Sequence, residues 1–161
     1  MNRVAKFLAH EGRVSLVVAH TTEMVEEIRK IHDLTPTTTA AMGRFATITG
    51  MMGFTEIKDS EDYFTAQING QGPMGTMISV VRREEFTSKV KVCVDNPYVE
   101  VPLKSNGKLD VSGVVGTEGN IYIIKDIGLK EPYVGVSNII TGEIAEDFTN
   151  YFVDYKSFEI E

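Results

Sequence analysis

The stretch PTTTAAMGRFATITGMMGF, residues 36–54, narrows most what this chain can fold into. Thr35-Pro36 opens it as a helix: a hydroxyl at the N-cap, then proline at the first helical position, where no N–H is needed. The run is nevertheless crowded with Ala40, Ala41, Gly43, Ala46, Gly50 and Gly53. Each glycine costs a helix about 1 kcal/mol against alanine. Such a helix is worth forming only where another surface closes onto its backbone. We therefore expect it in a groove of a sheet or against the helix before it.

The flanking sequence supplies both partners. RVAKFLA (3–9) and RVSLVVA (13–19), split by His10-Glu11-Gly12, read as a hairpin. In TTEMVEEIRKIHD, Met24, Ile28 and Ile31 fall on one helical face beside Val25, with Thr22 as N-cap, Glu23 in the first turn and Glu26–Lys30 as an i,i+4 pair. From residue 56 the period changes to two. Residues 63–68, 76–81, 86–94, 98–103, 120–126 and 133–140 carry strand signals between Gly, Pro and Asn breaks. A late helix follows, with Ile144, Phe148, Tyr151, Phe152 and Tyr155 on one face, capped by Thr141. Glu143, Glu146 and Asp147 suit its positive end, the last two as solvated carboxylates. SFEIE at 157–161 looks like one more strand beginning. The expected class is α+β: a mainly antiparallel sheet with two early helices and one late helix packed on it.

Length and charge limit the function. The 161 residues suit one domain, and a net charge of -7 disfavours nucleic acid or an anionic membrane as partner. The opening MNRVAKFLAHEGR holds no signal-peptide core, and no run reaches membrane-spanning length, so a cytosolic protein is expected. One cysteine, Cys93, permits neither an intrachain disulfide nor a cysteine-built zinc cage. Within VKVCVDN it shares a strand face with Lys91 and Asp95, a partly exposed or sheet-edge face. We read Cys93 as structural rather than as a redox switch or nucleophile.

Other chemistry is sparse. Gly70, Gly72 and Gly75 satisfy G-x-G-x-x-G, and Asp95 stands where a ribose-binding acid would, but a strand-like run follows where a phosphate site needs a helix N-terminus. A hairpin loop is preferred, with a nucleotide or small-molecule site at 70–75 as the alternative. His10, His20 and His32 share no metal-ligand spacing. No catalytic, metal or cofactor-binding residue is nominated, and no enzyme. The methionines offer another option: Met42, Met51, Met52, Met74 and Met77, with Phe54, could form a deformable apolar surface or fill the core.

Read together, AHTTEMVEEIRKIHDLTPTTTAAMGR (19–44), INGQGPMGTMISV (68–80), VDNPYVEVPL (94–103) and Gly107 to Phe152, with its KDIGLKEPY and TGEIAEDFTNYF, resemble the N-terminal region of the thirty-three-kilodalton heat-shock chaperonin family. The resemblance covers essentially the whole chain. It implies an ATP-independent, redox-regulated bacterial holdase that binds unfolding client proteins under oxidative stress and forms a homodimer, strand exchange being one route to it. It also implies a C-terminal domain holding zinc through four cysteines, which these residues do not contain. Residues 1–161 are accordingly expected to be the core domain alone, ending before the linker and redox-switch domain. The client-binding candidates are Met42, Met51, Met52, Phe54, Met74 and Met77. A third reading makes this stretch only a folding and dimerisation scaffold.

Overall fold

Alternating strands and one long helix set the architecture of the computed structural model, which describes residues 1–84, 87–128 and 130–156, the side chains of Tyr155 and Lys156 aside. The order is β1 (Arg3–Ala9), β2 (Val14–His20), α1 (Thr22–His32), α2 (Pro36–Glu56), β3 (Tyr63–Asn69), β4 (Met77–Glu84), β5 (Thr87–Val94), α3 (Val111–Val115), β6 (Asn120–Asp126), β7 (Tyr133–Asn138) and α4 (Ala145–Lys156). Strands β1 and β2 form a separate antiparallel ribbon. The other five form one sheet in the order β5-β4-β3-β6-β7, every neighbour antiparallel. The fold is α+β, as expected. The segment expected to start a strand at 157–161 lies outside the described residues.

The small residues of α2 do what their cost required. A Cβ at Gly43 would stand 2.8 Å from Cγ1 of Val25 on α1, and one at Gly50 3.1 Å from Cγ2 of Val90 on β5. At Gly53 it would run into the β-branched side chain of Val81 on β4. The helix therefore touches α1 and the sheet with its own backbone. Met42, Phe45, Ala46 and Thr49 are fully buried along it, and Thr49 shares a 2.7 Å hydroxyl hydrogen bond with Ser79 of β4.

The start of α2 explains one departure from expectation. Residues 98–103 are not a strand. Their alternation is real, with Val99 buried and Tyr98 exposed, but their carbonyls serve the helix instead. Thr35 Oγ1 donates to Val99 O at 2.7 Å and Thr38 Oγ1 to Pro97 O at 2.8 Å. Pro97 and Pro102 have no N–H to give a ladder. Thr35 caps α2 and Pro36 stands in its first turn, as the sequence indicated. In α1, by contrast, Thr22 is the first helical residue rather than the cap, and the hydroxyl of Thr21 pairs with that of Thr47 at 2.8 Å. The free N–H of Met24 is met by Asn2 Oδ1 at 3.0 Å. Ile31, expected on the packed face, is exposed. Glu26 binds Lys30 and, more closely, Arg29, whose hydrogen bond draws the carboxyl down to about 2.

The late helix differs at its start. Thr141 does not cap α4. Asp147, read from sequence as solvated, is fully buried and turns back to accept hydrogen bonds from the backbone N–H groups of Ile140 (2.8 Å), Thr141 (2.7 Å) and Ile144 (3.0 Å). A β-branched residue at φ 70 is strained, and Ile144 is held there by that carboxylate. Phe148 and Tyr151 are buried, Phe148 against Phe45 with ring centroids 6.1 Å apart and Tyr151 over Gly135 of β7; Phe152 is only partly covered. Glu143 serves no helix dipole. It joins Arg44 of α2, at 2.7 Å, to Lys104 of the long loop. Partial burial pushes its carboxyl up, but hydrogen bonds from Lys104 and Arg44 outweigh this and hold it below the usual carboxylate range.

Three stability outcomes follow from this packing. Gly53→Ala gains helix propensity but must displace Val81, so denaturant unfolding should show a net loss of about 1–2 kcal/mol. Phe148→Ala should lose about 3–5 kcal/mol by opening a cavity against α2. Because the folded-state pKa of Glu143 is depressed, its contribution is present above the unfolded value and lost as pH falls through the folded one. Glu143→Gln should therefore cost about 1 kcal/mol at pH 7, and the difference from wild type should shrink progressively as pH falls below the usual carboxylate range.

Candidate functional site

Side chains alternate across each strand of the five-stranded sheet, so the register assigns every residue to one of two faces. The inner face carries Phe64, Ala66, Ile68, Met77, Ser79, Val81, Ile121, Ile123, Gly135 and Ser137, all buried. All the helix contacts traced above fall on this face: Gly50 and Gly53 of α2, and Tyr151 of α4 over Gly135. The outer face carries the other half of each strand. Across it run two rows, Cys93–Ile78–Gln67–Tyr122–Val136 and Lys91–Val80–Thr65–Ile124–Val134. No helix among the described residues covers them. Val134 and Val136 are 53% and 54% exposed, and Tyr122 is also open.

This face is unusual for an antiparallel sheet, whose solvated side is ordinarily polar. Its β6–β7 half is apolar: Tyr122, Ile124, Val134 and Val136; Ile78 and Val80 of β4 add a second apolar pair on the far side of Thr65 and Gln67. Its β4–β5 corner is basic. Arg82 and Lys89 are cross-strand partners, Lys91 lies two residues on, and Arg82 sits 3.9 Å over the ring of Tyr63. Broad, shallow and apolar, such a surface can cover an extended chain without reading its sequence. A second apolar surface is the β1–β2 ribbon, where Phe7, Leu8, Val14, Leu16 and Val18 are exposed.

The residues singled out from sequence go elsewhere. Met42, Met52, Met74 and Met77 are buried in the core. Met51 and Phe54 are half-buried on α2, and the six do not meet on one surface. Methionine fills gaps well, and here it fills them around the glycine-lined helix. The loop at 70–75 is closed by backbone: Gly72 N donates to Val115 O and Met74 N to Val114 O, both at 3.0 Å, and a Cβ at Gly72 would stand 2.5 Å from Val114 O. Strand β4, not a helix, follows it, and Asp95 accepts from Thr76 N at 2.7 Å. These glycines serve the approach of two chain segments, which leaves a phosphate no cradle. Cys93 is exposed on edge strand β5, on the outer face with Lys91, as its alternation indicated. Zinc finds no fitting donor set: among the described residues no three His, Cys, Asp or Glu side chains are grouped to hold a metal.

Sequence reading missed the outer-face residues, although a signal was there. NIYIIKD is apolar at both parities, which is the mark of a strand with two apolar faces, and MISVV repeats it.

Comparison with known proteins adds the lineage. A family model described as Hsp33 protein matches residues 2–155. The 33 kDa chaperonin of Clostridioides difficile strain 630 is 46% identical over 149 residues, covering 92% of this chain and 50% of its own length. That of Acetivibrio thermocellus is 44% identical over 149 residues, covering 92% of this chain and 49% of its own. The crystal structure of the 33 kDa chaperonin (heat shock protein 33 homolog) from Thermotoga maritima superimposes with a TM-score of 0.84 at 31% identity, over 93% of this chain and 50% of that one. The chain spans about half the length of the curated relatives it matches.

Lysine at two open apolar positions tests the surface directly. Val134→Lys with Val136→Lys should lower the fluorescence of a bound apolar dye severalfold while leaving unfolding free energy within about 0.5 kcal/mol per site.

Proposed function

This chain belongs to the Hsp33 family, and from that premise we propose that it is the N-terminal core of an ATP-independent chaperone, a holdase that keeps unfolding proteins from aggregating. The observation that carries the reading is the outer face of the five-stranded sheet, which no helix among the described residues covers: apolar over Tyr122, Ile124, Val134 and Val136, and again at Ile78 and Val80 beyond the polar Thr65 and Gln67 of β3. Each 100 Å² of apolar surface covered there contributes about 2.5 kcal/mol, without sequence-specific contacts. No catalytic group takes part, and the relatives are named chaperonins.

Redox control requires cysteines that can pair. Among these 161 residues only Cys93 is a cysteine, so this stretch holds its clients in either redox state, without zinc. The clients are unfolding proteins of the bacterial cytosol, met under oxidative stress. Nucleic acid and membrane are not partners, given the net charge of -7 and, among the described residues, no helix long and apolar enough to span a bilayer. Strands β5 and β7 end the sheet without a further described neighbour, and an open edge favours a homodimer, by edge pairing or strand exchange.

Light scattering from a thermally unfolding client tests the reading. An excess of this chain should suppress scattering equally under reducing and oxidising conditions, and the Val134→Lys, Val136→Lys pair should lose most of the effect. Scattering unaffected by the wild-type chain would overturn it.

A further inference from the structure

The outer face is not chemically uniform, and its asymmetry specifies the client. Resting on the reading that clients bind this face, we propose that it selects extended segments that are apolar at one end and acidic at the other. The apolar end lies over Tyr122, Ile124, Val134 and Val136 on β6 and β7. The acidic end meets Arg82, Lys89 and Lys91 on β4 and β5.

The charges on this face, among the described residues, are few enough to follow one by one. Lys89 pairs with Glu84 at 3.4 Å, Arg82 stacks on Tyr63 and bonds its hydroxyl, and Asp126 is the register partner of Tyr63 on its β6 side. Lys91 is exposed between Lys89 and Cys93 and appears in no ion pair among the described residues. Asp95 shares this parity but lies beyond Cys93 at the other end of β5, its carboxylate accepting from Thr76 N. The corner at Arg82, Lys89 and Lys91, set against Glu84, therefore keeps an excess of positive charge among the described residues in a chain whose net charge is -7. At physiological ionic strength the screening length is about 8 Å, so a docked carboxylate feels the corner beneath it more than the distant acidic surface. Four strand spacings of about 4.8 Å separate β5 from β7. An extended segment crosses that width in about six residues at about 3.3 Å each.

Two fluorescein-labelled peptides test this. They share one apolar run of valine, isoleucine and tyrosine and differ in carrying three aspartates or three lysines at one end. The 161-residue chain should bind the aspartate peptide about 10-fold more tightly at low salt, with the preference collapsing towards unity at high salt. Lys89→Glu with Lys91→Glu should invert the order, and Lys91→Gln alone should cut the preference about threefold. Equal binding of both peptides, or a preference unmoved by these substitutions, overturns the inference and leaves the sheet-face reading standing. Binding of neither peptide removes both.

Discussion

Everything else in this structure depends on how closely α2 lies against the sheet. With Gly50 and Gly53 beneath Val90 and Val81, the helix meets the strands at backbone distance. Larger residues there would hold it away and open the interior that Phe45, Met42 and Met77 now fill. One helical layer thereby seals one face of five strands, and α4 completes the seal over β7 through Tyr151. The helical layer stops at that side. The opposite face, built by the same alternation, has no matching layer among the described residues. The surface assigned here to client binding is thus the other side of a one-layer packing solution.

How much of this could be read beforehand varied with the range of the interaction. Local rules placed the Thr35 cap, helices α1, α2 and α4, the hairpin and most strands, but not the short α3. The glycines of α2 announced a close neighbour, though not which residues it would offer. Partners brought in by a distant segment, or by a chain that folds back on itself, could not be read. Asn2 completes the start of α1, the Pro97 and Val99 carbonyls accept the hydroxyls of α2, and Asp147 folds back on Ile140, Thr141 and Ile144. At α1 a distant side chain took the place of the cap that spacing nominated, at α2 loop carbonyls joined the expected cap, and at α4 a residue of the helix's own first turn did the work expected of Thr141. The candidate site was the hardest part. Methionines drew notice by composition, whereas the open residues, Tyr122 and Val136 among them, look like ordinary strand apolars until the register gives them a side.

Clustering in sequence and clustering in space part company at the glycine loop as well. Its G-x-G-x-x-G spacing matches a nucleotide fingerprint, yet the glycines admit the backbone of residues 114–116 and carry the chain directly into β4. The same residue type under α2 admits valine side chains. In both places glycine means proximity, and what approaches is the chain itself.

The central claim, that clients are held by one side of the sheet, is tested most directly by methyl NMR on adjacent residues of opposite parity. Ile123 and Ile124 are neighbours in β6, one buried against the helical layer and one facing outward. Titrating an unfolded client should shift or broaden the methyl signals of Ile124, Val134 and Val136 while those of Ile123, Ile121 and Val81 stay in place. Perturbation confined to the inward set, or to the β1–β2 ribbon, would contradict the account.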